Sequence, residues 1–279
     1  MSLALAVHRP SRLTPPRVGG YAAMVIITFV FMLPVLHALT RSVGPPDGLG
    51  NYLLVMGDAR LPRFYLNSVL VSVGTIALTV TMASLAAFAF SKLRFPGQHL
   101  LFYTLLVTLL VPVTTLIVPL FVLIRGFGLY NTLLGLILPQ VALGVPFYTV
   151  LIKNQMDEIP SELVEAGRID GATNFAIFRH IMLPLSVPIQ AVVITLVFLY
   201  SWNNYLLPLV LLKDESLATV PIAAASWARV AGRTLIQFGD VSYPTLFAAL
   251  FLLAAPTVIL FLVMQRWFIA GIVQGAIKS

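Results

Sequence analysis

The chain has 279 residues, 59% hydrophobic and 10% charged, against roughly a quarter charged in an ordinary soluble domain. Its net charge is +7, but the basic residues are dispersed among loops, which argues against a nucleic-acid surface and for anchoring of helix ends at lipid headgroups. Cysteine is absent, which excludes a disulfide framework, a thiolate metal site and a thiol nucleophile.

Residues 20–40 form the first apolar run, interrupted only by His37 and preceded by Arg9, Arg12 and Arg17. A cleaved signal peptide is the alternative. The run is longer than a signal h-region and no clear small-x-small site follows it, so an uncleaved helix is the reading. Next comes a Pro/Gly-bearing loop, 41–66. The segments 67–91, 100–124, 130–152, 184–212 and 241–265 then contain no Asp, Glu, Lys or Arg. Each exceeds the ~20 apolar residues that cross a ~30 Å hydrocarbon core.

Between them lie short turns at 91–99 and 125–129, carrying Phe95-Pro96-Gly97 and Gly126-Phe127-Gly128, and longer loops at 153–183 and 213–240. A soluble protein has no reason to gather its charges into the gaps between six such runs. The expectation is an all-α, polytopic membrane protein: six transmembrane helices in one membrane domain over 1–279, with 41–66 and 213–240 on one face and 153–183 on the other. With both termini cytoplasmic, the inner segments hold ten Lys/Arg and the outer ones seven, a small bias in that direction.

Prolines 34, 112, 119, 139, 146, 188, 208 and 256 fall within the predicted helices. Each removes a backbone donor, and in lipid the freed groups need neighbouring helices, side chains or cavity water. Simple kinking and a bundle bent around a solute path both fit.

The predicted spans contain no carboxylate. That argues against a proton-driven carrier, although a uniporter or sodium-coupled carrier survives. No G-x-x-x-x-G-K-[ST] loop is present, so any ATP used must bind another subunit. His8, His37, His99 and His180 are scattered, without H-E-x-x-H or G-x-S-x-G, so no catalytic residues or metal ligands are assigned. A membrane enzyme or assembly factor using the acidic loop is the reading from another class.

That loop, 153–183, is predicted as a helix–turn–helix. Ser161 is placed to cap a first short helix, Gly171 to end it in the left-handed conformation, and Thr173 to cap a second. Phe175, Phe178 and Met182 follow at helical spacing. Asp157, Glu158, Glu162, Glu165 and Asp170 outnumber Lys153, Arg168 and Arg179. Anionic headgroups repel such a segment, so docking into a basic cleft of a partner is preferred to a solvated loop.

At these residues the chain resembles the importer permeases of the ATP-binding-cassette superfamily. Glu165-Ala166-Gly167, Asp170-Gly171-Ala172 and, with nine residues between it and Gly171, Ile181-Met182-Leu183-Pro184 are similar to their EAA motif; Gly167 departs from it, where the motif prefers Ala. Asn67-Ser68, Phe95-Pro96-Gly97, Trp202-Asn203-Asn204-Tyr205 with Pro208, and the tail Gly271 to Lys278 resemble the carbohydrate-uptake, MalG-like subgroup.

The resemblance implies a coupling helix seated in an ATPase through Glu165, Ala166, Gly167, Asp170, Gly171, Ala172, Ile181, Leu183 and Pro184. It implies a second ATPase contact at Gly275, Ala276, Ile277 and Lys278. The implied partners are a second permease subunit, two copies of an ATPase subunit that hold ATP and magnesium, and an extracytoplasmic binding protein. No cofactor is assigned to this chain. Trp202, Asn203, Asn204 and Tyr205 are the candidates for the solute path, because amides offer paired donors and acceptors to hydroxyls. Ending a helix at the membrane interface is their other reading. A sugar is the implied cargo; glycerol phosphate, a polyamine or another small polar solute are the alternatives.

Overall fold

The structure, a computed structural model, describes residues 15–45, 47–234 and 243–276, with side chains over 19–45, 47–227 and 243–264. Among the described residues all regular structure is helical. In chain order, α1 is Pro15–Ser42, α2 Gly50–Met56, α3 Leu61–Lys92, α4 Gln98–Thr108, α5 Ile117–Gly126 and α6 Leu133–Asp157. Beyond them α7 is Ser161–Ile169, α8 Asn174–Ile177, α9 Leu183–Leu185, α10 Val187–Trp202, α11 Leu206–Leu211, α12 Val220–Thr234 and α13 Tyr243–Ala276.

Helices α1, α3, α6 and α13 are each long and apolar enough to cross a membrane. Two bent pairs make six if each counts as one span. The first pair corrects the expectation of one regular helix over 100–124. Here α4 and the segment Val113–Gly126 meet at 91°. The cause is Pro112, which lacks a donor and pushes Val111 out of helical geometry. It is itself extended (φ −61°, ψ 126°), and the chain restarts through a 3-10 turn, Val113–Leu116.

The second pair bends by 79° between Asn174–Leu185 and Val187–Trp202. The expected continuous span 184–212 is therefore divided twice. It bends at Ser186, between Pro184 and Pro188, and stops after Trp202, where Asn203 and Asn204 leave the helix before α11.

The loops 41–66 and 213–240 are more ordered than their composition suggests. Within 41–66, α2 forms and α3 already begins at Leu61. Asn51, fully buried, ties this segment together. Its Nδ2 donates to the carbonyls of Ser42, Gly44 and Gly48, while its Oδ1 accepts from Thr245 on α13. Within 213–240 there is a 3-10 turn, Glu215–Leu217, followed by α12; residues 235–240 lie outside the described residues.

The most extensive helix packing joins α3 and α6. Gly74 lies against Ile137, where an added Cβ would come within 2.9 Å of Cδ1, and Gly144 lies near Thr79. The two contacts advance together along both helices, so α3 and α6 run in the same direction. Small residues allow this close approach, as expected where lipid supplies no hydrophobic drive between helices.

Candidate coupling hairpin and solute cavity

The hairpin begins where α6 leaves the bundle. Lys153 pairs with Asp157 one turn on, at 2.6 Å, and lies 5.1 Å from the centre of the Phe102 ring. Lys92 Nζ, at the end of α3, donates to the Ile159 carbonyl at 2.7 Å. Pro160 is extended and α7 starts at Ser161. Ser161 is therefore inside the first turn, and no side chain caps this helix, contrary to the role expected of it. Glu162 in that turn faces the positive end of the helix dipole.

Val164 and Gly167 form the buried face of α7. Gly167, the departure from the motif, has a packing reason: a Cβ there would sit 3.1 Å from Ile181 Cδ1 and 3.3 Å from Ile177 Cγ1. Gly171 takes φ +81°. Around it the amides of Asp170, Gly171 and Ala172 donate to the carbonyls of Ala166, Arg168 and Gly167, which satisfies the last carbonyls of α7. Thr173 then caps α8, accepting from the Ala176 amide at 3.2 Å.

A π-helical turn, Phe178–Met182, links α8 to α9. It buries Phe178 and Met182 in the core while Phe175 stays exposed. The Phe178 ring packs 5.5 Å from that of Phe88 on α3, so the hairpin is joined to the bundle by apolar contact. Ala172, Ile181 and Leu183 are partly buried against the same core, and Pro184 is exposed.

Glu165 and Ala166 on α7 and Asp170 just after it are exposed, and Glu165 also borders the cleft between α7 and the α3–α4 turn. Beside them Leu163 is half-exposed and Ile169 is 86% exposed. Neither apolar residue was singled out by the sequence. Alternation of acidic and apolar side chains along α7 was the available signal. The tail residues Gly275 and Ala276 end α13; Ile277 and Lys278 lie outside the described residues.

The two helix breaks on the far side enclose a cavity of about 490 Å³. Thr114 and Ile117 line it from the α4–α5 break, and Tyr200, Asn203, Asn204 and Tyr205 from the end of α10. Asn203 Nδ2 donates back to the Leu199 carbonyl at 2.8 Å and Asn204 Oδ1 accepts from the Leu207 amide at 3.2 Å. Asn203 thus keeps its Oδ1 for another partner, while Asn204 is also within reach of the Tyr200 hydroxyl.

Trp202 does not belong with them. It is 2% exposed, donates Nε1–H to the Leu253 carbonyl at 3.3 Å and stacks on Phe198 at 5.2 Å. Its role is to fasten α10 to α13. Thr114 and Tyr200 were missed; the polar Thr114-Thr115 pair inside an apolar run was the clue. Asn67 and Ser68, likewise, hold the 213–220 segment to α3. Asn67 Nδ2 donates to the carbonyls of Ser216 and Ala218, and Ser68 Oγ accepts from the Val220 amide. Among the described residues no group of three or more His, Asp or Glu is placed to hold a metal ion.

Residues 79–274, which include the hairpin, both cavity-lining Asn residues and most of the bundle, match the family described as "Binding-protein-dependent transport system inner membrane component". The chain belongs to this family. It is therefore the membrane-spanning permease subunit of an ATP-binding-cassette importer and not an enzyme; ATP hydrolysis lies on separate subunits.

This permease is 37% identical over 222 residues to a probable ABC transporter permease protein of Bacillus subtilis, covering 78% of this chain and 70% of that one. It is 33% identical over 263 residues to a diacetylchitobiose uptake system permease protein of Streptomyces coelicolor, covering 91% and 85%. Among solved structures, a bacterial ABC transporter involved in import of the acidic polysaccharide alginate superposes with a TM-score of 0.77 over 93% of this permease and 100% of that chain. At 21% identity that match speaks for the fold alone.

Proposed function

We propose that this permease moves a neutral sugar, delivered by an extracytoplasmic binding protein, through a path that includes the cavity at the α4–α5 and α10–α11 breaks. The carrying observation is the lining of that cavity: Thr114, Tyr200, Asn203, Asn204 and Tyr205 set among aliphatic residues, with no charged side chain. Amides and hydroxyls match the donor and acceptor pattern of sugar hydroxyls, and a Tyr face suits the apolar side of a sugar ring. A phosphate or a polyamine would find no counter-charge here, which favours the sugar over those cargoes. The diacetylchitobiose relative supports the same class.

In this reading both termini and α7 face the cytoplasm, and two ATPase copies grip this permease and a second one. Glu165, Ala166 and Asp170, with Ile169, form the docking tip, held in shape by Gly167, Gly171, Ala172, Ile181, Leu183 and Pro184. Gly275, Ala276, Ile277 and Lys278 make a further ATPase contact. ATP and magnesium bind the ATPases. Closure of the ATPases moves α7, and the π-helical turn passes that motion to α10 and so to the cavity.

The test uses the complete transporter in proteoliposomes with its binding protein, and the sugar that raises the melting temperature of that protein. Asn203→Ala and Asn204→Ala are expected to lower uptake at least tenfold, on the order of 1.4 kcal/mol for a lost hydrogen bond to the solute, with basal ATP hydrolysis retained. Uptake at the wild-type rate and affinity in both variants would refute the path.

A further inference from the structure

We propose that the cleft between the α3–α4 turn and α7 binds a phosphate-bearing ligand at the membrane surface. The cleft is separate from the solute cavity and measures about 580 Å³. Lys92, Arg94 and Gln98 line it from the turn, and Ser161, Glu165 and Arg168 from α7. Among the lining side chains three cations face one carboxylate; of the two further carboxylates that act on Lys92, Asp157 is paired with Lys153 and Glu162 stands in the first turn of α7.

These groups are short of partners. Arg94 and Arg168 are exposed and form no ion pair among the described residues. Lys92 spends one of its three N–H bonds on the Ile159 carbonyl. Ser91 Oγ, which also lines the cleft, is buried without a hydrogen-bond partner among the described residues. The first turn of α7 brings the positive end of its dipole to the same place, with the Ser161 side chain making no cap bond.

The chemistry selects phosphate. Guanidinium forks bind phosphate oxygens in pairs, and an ammonium and a hydroxyl add single charged or neutral contacts. A cleft of this size exceeds one bare ion and suits a phosphate with an attached polar group. Its position suits the same ligand, because Lys92 ends one spanning helix and Gln98 opens the next, placing the cleft at the boundary of lipid and water. An anionic lipid headgroup and a soluble phosphate share this chemistry. A ligand held here would bridge the bundle and α7, the element through which motion enters.

The assembled transporter in nanodiscs provides the test, with backbone hydrogen exchange read over residues 91–98 and 161–169. Three conditions at equal ionic strength are compared: phosphatidylcholine alone, phosphatidylcholine with phosphatidylglycerol, and phosphatidylcholine with inorganic phosphate. Phosphatidylcholine bears a phosphate without net charge and is the baseline; exchange in both segments is expected to slow several-fold when a phosphate ligand with net negative charge is added. Slowing with phosphatidylglycerol alone identifies a headgroup, slowing with inorganic phosphate alone a soluble ligand, and slowing with both a site open to either.

The slowing should be lost in an Arg94→Gln, Arg168→Gln double variant. If that variant does not assemble, Arg94→Gln alone serves, since its side chain is exposed and forms no ion pair among the described residues. No slowing in any condition, or equal slowing in the variant, overturns the proposal. Neither result bears on the cargo, which is read by uptake.

Discussion

At the scale of single residues the clearest electrostatic contact lies before α3. Asp58 accepts from the Arg60 backbone amide and from its guanidinium at 2.9–3.1 Å, and Arg60 reaches on to Glu215 at 2.7 Å. The side-chain hydrogen bond from Arg60 holds the Asp58 carboxyl below the ordinary carboxylate range, with burial opposing the shift. A carboxyl depressed by folding stabilises the fold above its unfolded value, about 3.9. That contribution disappears as pH falls through the lower folded value. Arg60 is 54% exposed, so screening limits the pair to under about 1 kcal/mol. Asp58→Asn should therefore lower the melting temperature slightly at neutral pH, and the difference from wild type should shrink below about pH 4. A difference that persists unchanged at acid pH would show that Asp58 acts through shape and not charge.

Elements come next, and α7 with its turn is the one with most at stake. At Gly171 a Cβ would meet nothing within 4 Å, yet φ is +81°. The cost of Gly171→Ala is accordingly conformational, about 1–2 kcal/mol, and should show as faster hydrogen exchange across 161–177 with the spans unaffected. Glu165→Lys leaves that geometry alone, because Glu165 is exposed and forms no ion pair among the described residues. If α7 seats in a basic cleft, reversing this charge should keep ATP hydrolysis near its basal rate while uptake falls at least tenfold. Uptake at the wild-type rate would remove Glu165 from the docking surface.

How far these elements were legible follows from where the information lies. The apolar spans announce themselves by loss of charge, and the left-handed turn at Gly171 and the Thr173 cap are local chemistry. The 91° turn at Pro112 is less legible, because proline signals a break without saying how far the chain swings. The burial of Trp202 is not legible in the sequence, because its partner Leu253 meets it only when α10 and α13 are packed. Ser161 was misread because the extended Pro160 takes the flanking position. The cavity pairs Thr114 with Asn203 and Asn204 across two breaks, and no single stretch of sequence contains that juxtaposition.

For the whole molecule the question is which packed surface can change. The α3–α6 interface is the largest, yet it is polar at its centre. Gln140 is 1% exposed, and neither end of its amide has a hydrogen-bond partner among the described residues. Thr75, Thr79 and Ser72 on α3 are buried in the same condition. With Gly74 against Ile137 and Thr79 near Gly144, Gln140 falls between these contacts along α6. Leaving such a group unsatisfied costs about 1–3 kcal/mol, whereas a fully apolar seam of like volume would bear no such cost. A transporter must pass between at least two packings of similar free energy, and a penalty confined to one of them narrows the gap. Gln140→Leu is thus expected to raise stability by about 1 kcal/mol or more, read as a higher melting temperature, and to slow uptake by holding this packing. A higher melting temperature with undiminished uptake would place the moving interface elsewhere. A lower melting temperature would mean that Gln140 is satisfied when the complex is assembled.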